Sequence, residues 1–499
     1  MSRMLSVIPN PVSITYTEGF FKCSGLPLIK GDDKEFADEI KLFSDQFADN
    51  EERKAIVYCR KNAGISHNEG YNMVISKEAV HIDASSSAGI YHGLQTLRQL
   101  IISEFKNGEL VLPCAEITDY PRFSWRGFML DSSRYFYSIP FIKKMIDLIS
   151  MHHMNRFHWH LTDDQGWRLP VDGYPLLTEI GACRKDRRFT WKTFKSEFYT
   201  EEEIREVVKY ASVRHVEVVP EVDFPGHASA ILASYPGLGC TGGPYRVEDR
   251  FGIFEDVLCA GNDQLFNLAA ASFDSLFKLF PSKWVHIGGD EVKFNRWEEC
   301  PKCQKRLEEL ELEKPQELQS WITQKLVQML AERGKTAIGW DEVLDDSENF
   351  KLPKETVIMS WRGSEGGIRA SGLGHSVIMS PNTEGCYLDY KHFNTHEEPG
   401  QLFEGSASVY KSYSMEPVPP AIKNEDSSLI LGAQGNLWSE LIYAGKIAEY
   451  MIFPRLCAIS ESVWTSKENR DFDDFSKRLE VHKERLDLLG VNQYRGALK

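Results

Sequence analysis

The sequence predicts an α/β protein in which a small N-terminal α/β domain precedes a (β/α)8 TIM barrel. Two observations carry that prediction. From about residue 119 onward eight short apolar runs alternate with helical stretches, and most of those runs end in a polar or aromatic cluster. Before that point the rhythm differs. Strands at Tyr71 to Ile75 and Ala79 to Ala84 are followed by a helix from about Ala88 to Ser103, whose apolar stripe is Ile90, Leu94, Leu97 and Ile101. The Pro-containing connection Thr118-Asp119-Tyr120-Pro121-Arg122 separates the two regimes, so the domains are expected at 1–118 and 119–499.

The eight runs are Gly127 to Leu130, Arg156 to Leu161, Val216 to Pro220, Trp284 to Ile287, Thr336 to Gly339, Val357 to Ser360, Ser376 to Met379 and Leu429 to Gly432. Eight parallel strands close a barrel, and barrel enzymes carry their sites at the C-terminal strand ends. The clusters found there are Asp131-Ser132-Ser133-Arg134, Thr162-Asp163-Asp164, Glu221-Val222-Asp223 with His227, Asp290-Glu291, Trp340-Asp341-Glu342, Trp361-Arg362 and Trp438-Ser439-Glu440. They are expected to converge on one pocket. Amphipathic sequence from Asp474 to Leu489 then forms a helix packed on the outside.

With 499 residues, 42% of them hydrophobic, the chain has ample core, and a net charge of −15 argues against nucleic acid or an anionic membrane as partner. No apolar stretch reaches the roughly 18 residues of a membrane span, and Met1 to Val12 lacks the apolar core of a signal peptide. A cytoplasmic location is therefore expected, or a secreted one if a leader has been removed. The ten cysteines are too scattered for a disulfide scaffold. Cys300-Pro301-Lys302-Cys303 has no second pair at zinc-ribbon spacing and reads as incidental, while Cys240 and Cys259 bracket a Gly-rich loop that they could bridge.

The most informative segment is Trp284-Val285-His286-Ile287-Gly288-Gly289-Asp290-Glu291. In a continuing strand the two acids would face opposite ways, but the glycine pair lets the backbone bend so that both line one cavity. Carboxylates, Arg134 and the tryptophans Trp340, Trp361 and Trp438 suit a sugar, because indoles cover the apolar faces of a pyranose while the charged groups bond its hydroxyls. Most glycosidases place two carboxyls on either side of the scissile bond, about 5 Å apart or more. Sequence neighbours approach from one side, so Asp290 and Glu291 are poor candidates for acid and opposing nucleophile. A different division of labour is needed: if the nucleophile is the substrate's own 2-acetamido oxygen, one carboxyl can protonate the leaving oxygen while its neighbour orients and stabilises the acetamido group.

Several ordered motifs carry a resemblance. They are His286-Ile287-Gly288-Gly289-Asp290-Glu291, Leu130-Asp131-Ser132-Ser133-Arg134, His158 through Trp167, Glu221 through His227, and the helix motif Gly89 through Leu97. Through them nearly the whole chain resembles the β-N-acetylhexosaminidases of glycoside hydrolase family 20. The resemblance implies an exo-acting, retaining enzyme that removes terminal β-linked GlcNAc or GalNAc by substrate-assisted catalysis through an oxazolinium-like intermediate. It makes Glu291 the general acid and then base, and Asp290 an ionised group that holds the acetamido N–H and stabilises the intermediate. Tyr387 is the donor to the acetamido oxygen, and Trp340, Trp361 and Trp438 are the walls. Arg134, Asp163 and Glu440 hold the 3- and 4-hydroxyls and Asp389 the 6-hydroxyl, with Asp223 and His227 as a supporting network. The implied partner is an N-acetylhexosamine-containing glycan, with no cofactor and no metal. Where some relatives place a further tryptophan near the 6-hydroxyl, residues 402–405 offer only Phe403. Loops 235–256 and 392–425 are expected to shape the aglycone side.

His158-Trp159-His160 at a strand end is also the pattern that opens a metal site in barrel amidohydrolases. Such a site needs an Asp after the last strand, where this chain has Gln434-Gly435-Asn436, so the two histidines are expected to be hydrogen-bonded barrel core.

Overall fold

The computed structural model describes residues 5–31, 34–45, 56–185, 193–194, 196–393, 395–402 and 405–499. Eight parallel strands close a barrel: β1 (Trp125–Asp131), β2 (Arg156–His160), β3 (Glu217–Glu221), β4 (Trp284–His286), β5 (Thr336–Trp340), β6 (Val357–Ser360), β7 (Val377–Met379) and β8 (Ile430–Leu437), with β8 pairing back to β1. Each coincides with an apolar run read from the sequence. β8 extends five residues beyond its run, to Leu437, because Gly432 to Leu437 pair residue for residue with Trp125 to Leu130.

The pleat sorts the side chains of each strand. On β2, Phe157 and Trp159 face the surrounding helices and join the main hydrophobic core, while His158 and His160 point into the lumen. Met129, Val219, Ile338, Met359 and Ile378 fill the rest of the lumen, so the barrel is a packed core rather than a pore.

The N-terminal unit is a seven-stranded mixed sheet with the order Ser13–Ser24, Glu109–Asp119, Tyr71–Ile75, Val80–Ala84, Ile56–Lys61 and Leu28–Gly31, with Phe105–Lys106 as a short addition. The helix Ser87–Glu104 covers one face, and its first turn is capped by the Ser86 hydroxyl accepting the Gly89 N–H. The C-terminal helix Phe472–Leu488 packs against it, starting two residues before its amphipathic sequence indicated. Among the described residues no helix is long and apolar enough to cross a membrane.

One large side chain of the barrel unit is inserted into the N-terminal core. Trp464 ends a barrel helix, Arg455–Trp464, yet it is buried within the N-terminal core and donates its indole N–H to Asp119 at 2.9 Å. Tyr71 donates its hydroxyl to the other Asp119 oxygen at 2.9 Å. Trp464→Ala should cost about 3–5 kcal/mol of stability, because it opens a cavity and removes a bond from a buried carboxyl. Urea unfolding checks this, and a midpoint equal to that of the parent protein would show that the junction contributes little.

Candidate active site

The strand ends converge on a cavity of 320 Å³ at the C-terminal face of the barrel. Asp290 and Glu291 form one side, Trp361, Tyr387 and Trp438 form the aromatic side, and Arg134, Asp389 and Glu440 close the polar end.

The turn that presents the acids is set by its neighbours. Gly288 has φ +67 and Gly289 φ +94, and Glu291 itself is left-handed at φ +54. A Cβ on Gly288 would lie 1.8 Å from Asp223 Oδ1, so only glycine fits. That same oxygen accepts the Gly289 N–H at 3.0 Å, and Gln319 donates to the Gly289 carbonyl at 2.7 Å. The chain is thereby turned so that adjacent acids share one cavity.

His227 stands behind both acids. Its Nδ1 bonds Asp164 at 3.0 Å and lies 3.2 Å from Asp163, and its Nε2 lies 3.6 Å from Asp290 and 3.7 Å from Glu291. Although burial disfavours its charge, Asp163 and the other surrounding carboxyls hold this imidazole well above its usual range, as a cation. Burial pushes Asp223 up to about 7, with His227 opposing.

The surroundings of Asp290 work against the ionised form that the sequence reading expected. Burial pushes its carboxyl well above the usual range and Asp223 adds to the effect, while the His227 cation pulls the other way. One imidazolium is shared among too many acids to compensate the loss of water. Asp290 Oδ1 and Asp389 Oδ1 are buried without a hydrogen-bond partner, so two acceptor atoms at this site call for donors from a ligand. Asp389 is likewise pushed up, by burial and by Glu440.

The polar end is organised by Arg134. Its guanidinium lies 2.9 Å from Asp163 and 3.8 Å from Glu440, bonds Asp131 at 3.3 Å, and stacks 5.0 Å from the Trp438 ring. Asp163 does not line the cavity. Its oxygens are engaged by Arg134, His160 and His227, which makes it a brace for Arg134.

On the aromatic side Trp361 stacks on Tyr387 with a 12° interplanar angle at 6.1 Å, and Trp438 meets Tyr387 at 57° and 6.2 Å. Trp340 is placed differently from the expectation. It is 1% exposed, packs 5.7 Å behind Trp438 and donates its indole N–H to Glu221 at 3.0 Å, so it backs the wall rather than lining it. His158 and His160 both meet Glu221 in the lumen, as hydrogen-bonded core.

Sequence reading named loops 235–256 and 392–425 only for the aglycone side and gave several individual contributors to this cavity no role. Phe251, Gly252 and Ile253 from the loop after β3 line the cavity, as do Tyr390, Gln401 and Leu441. No motif marks them, because the loops that deliver them have no repeating pattern. Glu342 accepts the Trp361 indole N–H at 2.8 Å and so orients that wall. The segment bearing Tyr387 and Asp389 is fixed by Leu388 N–H donating to Asn436 at the end of β8, and by the buried Arg455 donating to the carbonyls of Leu388 and Tyr390. Phe403, read as the aromatic edge near a 6-hydroxyl, lies outside the described residues.

Residues 123–467 match the model of the glycosyl hydrolase family 20 catalytic domain, and residues 4–120 match domain 2 of the same family. The chain belongs to glycosyl hydrolase family 20. A beta-hexosaminidase from Porphyromonas gingivalis is 38% identical over 98% of this chain, and the alignment spans 64% of that relative's own length. Among solved structures, the family 20 exo beta-N-acetylglucosaminidase of Vibrio harveyi in complex with N-acetylglucosamine superposes with a TM-score of 0.89 at 30% identity, covering 99% of this chain and 80% of that one. A mutant Streptomyces plicatus beta-hexosaminidase in complex with its product GlcNAc gives 0.87 at 27% identity, covering 99% and 97%. The family 20 match spans both structural units described above.

Gly288→Ala is the sharpest test of the acid-presenting turn. It should lower kcat/KM by about 10²-fold or more, because a displacement of the order of 1 Å at reacting groups has that effect. Circular dichroism and steady-state kinetics check it, and a folded variant with parental activity would show that the turn tolerates a side chain.

Proposed function

We propose that this family 20 chain is an exo-acting, retaining β-N-acetylhexosaminidase that removes a terminal β-linked GlcNAc or GalNAc residue by substrate-assisted catalysis. The single observation that carries the reading is the pairing of two adjacent acids, Asp290 and Glu291, on one side of an aromatic-walled cavity with Tyr387 opposite. A volume of 320 Å³ is at the small end of the roughly 300–1,000 Å³ typical of ligand pockets, which suits one sugar ring and hence removal from a chain end.

In this mechanism Glu291 protonates the departing glycosidic oxygen while the substrate's acetamido oxygen attacks C1, forming an oxazolinium-like ring on the opposite face. Asp290 accepts the acetamido N–H, and the Tyr387 hydroxyl donates to the acetamido oxygen. Glu291, now a carboxylate, takes a proton from water as the water attacks C1 and reopens the ring. Two inversions at one carbon return the original anomer. The raised Asp290 carboxyl fits this sequence. An anion poorly compensated before reaction gains most when a positive charge develops beside it, so the interaction strengthens as the intermediate forms.

At the polar end, Arg134 with Glu440 would hold the 3- and 4-hydroxyls and Asp389 the 6-hydroxyl. Trp438 and Trp361 would enclose the ring and the acetamido methyl, with Trp340 keeping Trp438 in place. A larger open cavity of 590 Å³ adjoins the sugar cavity across Phe251–Ile253 and is lined by Tyr245, Arg246, Arg250 and Arg296, and this adjacency supports assigning the aglycone to it.

The decisive experiment compares p-nitrophenyl β-N-acetylglucosaminide with the β-glucoside, which lacks the acetamide. Turnover of the first alone is expected, and comparable turnover of both would overturn substrate assistance. Glu291→Gln should lower kcat for substrates with poor leaving groups by about 10²–10⁴-fold, with KM little changed. An unchanged kcat would remove Glu291 from the acid role. Asp290→Asn should lose activity while keeping the parental circular dichroism spectrum and melting behaviour, and unfolding of the variant would point to a structural role instead.

A further inference from the structure

Four cysteines that look unrelated in the sequence meet in the fold. Cys240 lies in the loop after β3 and Cys259 follows it, while Cys300 caps the helix Pro301–Glu309 and Cys303 lies in its first turn. The sulfur separations are 3.8 Å for Cys240 to Cys303, 3.8 Å for Cys259 to Cys300 and 3.6 Å for Cys259 to Cys303, and all four sulfurs lie within 4.8 Å of one another. The reading of Cys300-x2-Cys303 as incidental is thereby corrected. Its second pair is not another CxxC but two cysteines from a distant loop.

These distances discriminate between thiol chemistries. A disulfide would bring two sulfurs to about 2.05 Å, and none of the ten cysteines is in one. A single ion held tetrahedrally at a metal–sulfur distance of about 2.3 Å places its ligand sulfurs about 3.8 Å apart. An iron–sulfur cluster would distribute its thiolates over two or more irons and spread them further. Cys259, Cys300 and Cys303 are buried, and thiols are too weak as hydrogen-bond partners to account for such a gathering.

The backbone around the sulfurs is shaped to match. A Cβ on Gly261 would come within 2.2 Å of the Lys302 carbonyl carbon, so the two ligand-bearing segments pass backbone against backbone. The Gly261 N–H points at the Cys259 and Cys303 sulfurs, the type of donor that steadies metal-bound thiolates. Nearby, Trp297 donates its indole N–H to the Leu258 carbonyl at 2.9 Å and Arg296 bonds Asp256 at 2.8 Å, tying the same two segments together.

We propose that Cys240, Cys259, Cys300 and Cys303 form a structural Zn²⁺ site that clamps the loop after β3 onto the start of the helix Pro301–Glu309. Binding sends the thiol protons to solvent and leaves a closed four-sulfur shell with no open position, so the ion acts on structure and not on the substrate. Phe251–Ile253, the cavity wall, lies between Cys240 and Cys259 in the chain. The site therefore anchors both ends of the segment that separates the sugar cavity from its larger neighbour.

The test is elemental analysis of the full chain purified without chelator, with expectation of one zinc per chain. Protein stripped of metal and refilled with Co²⁺ should show the sulfur-to-cobalt charge-transfer and tetrahedral d–d bands of a four-thiolate site. Cys300→Ser combined with Cys303→Ser should abolish both signals, while Cys183→Ser, outside the cluster, should leave them unchanged. Substoichiometric zinc, absence of the cobalt bands, or disulfides among these four cysteines after alkylation and mass analysis would each overturn the proposal. The parental metal content decides the matter even if the double variant fails to fold.

Discussion

A buried carboxylate at the centre of the barrel sets the geometry of everything above it. Glu221 ends β3 with no solvent exposure, surrounded by His158, His160 and His286 and by the indole N–H of Trp340. A charge in such a place costs several kcal/mol unless its oxygens are fully engaged. The His160 and His286 imidazoles keep Glu221 well below the ordinary carboxylate range, and the Glu221 and Asp163 carboxyls keep His160 well above its own. Both His160 nitrogens face carboxylates, so it is a cation bridging Glu221 to Asp163. In strand register Asp131, His160, Glu221 and His286 form one level across β1 to β4. This layer locks the strand ends that carry Arg134, Asp163, Asp223 and the paired acids.

Above that layer the site is rich in acid and short of compensating cations. Asp163 and Asp164 engage His227, whose other nitrogen faces Asp290 and Glu291, while Asp223 supports the turn beneath them. Arg134 is shared among Asp131, Asp163 and Glu440. Crowded buried carboxyls resist ionisation, and any positive charge brought among them is strongly favoured. In the mechanism proposed above, such surroundings would favour the cationic intermediate over a neutral ground state.

The loops around the cavity are held in distinct ways. The Tyr387–Asp389 segment is bonded directly to the end of β8 and to Arg455, whereas the loop after β3 reaches the cavity from further away and is secured through Cys240, Cys259 and their partners. Long excursions from a barrel rim lose conformational entropy on ordering, and fixing their ends reduces the freedom that must be lost.

Much of this was legible in the residues. The alternating runs located all eight barrel strands, because a strand with one face in the lumen and the other on helices must place apolar groups at regular intervals. Gly288-Gly289 before Asp290-Glu291 announced a turn that only glycine could make, and the Asp223 oxygen 1.8 Å from a hypothetical Gly288 Cβ shows why. Periodicity and local backbone chemistry act over a few residues, so the sequence by itself determined the strands, the turn and the residue types at the strand ends. Tertiary structure alone decided that Trp340 backs the wall while Trp438 forms it, that Asp163 braces Arg134, that Asp290 is crowded upward, that Phe251–Ile253 closes the cavity, and that Cys300-x2-Cys303 finds its partners in Cys240 and Cys259. Each of these depends on distances between segments remote in the chain, and burial, charge compensation and metal-ligand geometry are properties of such distances rather than of any local pattern.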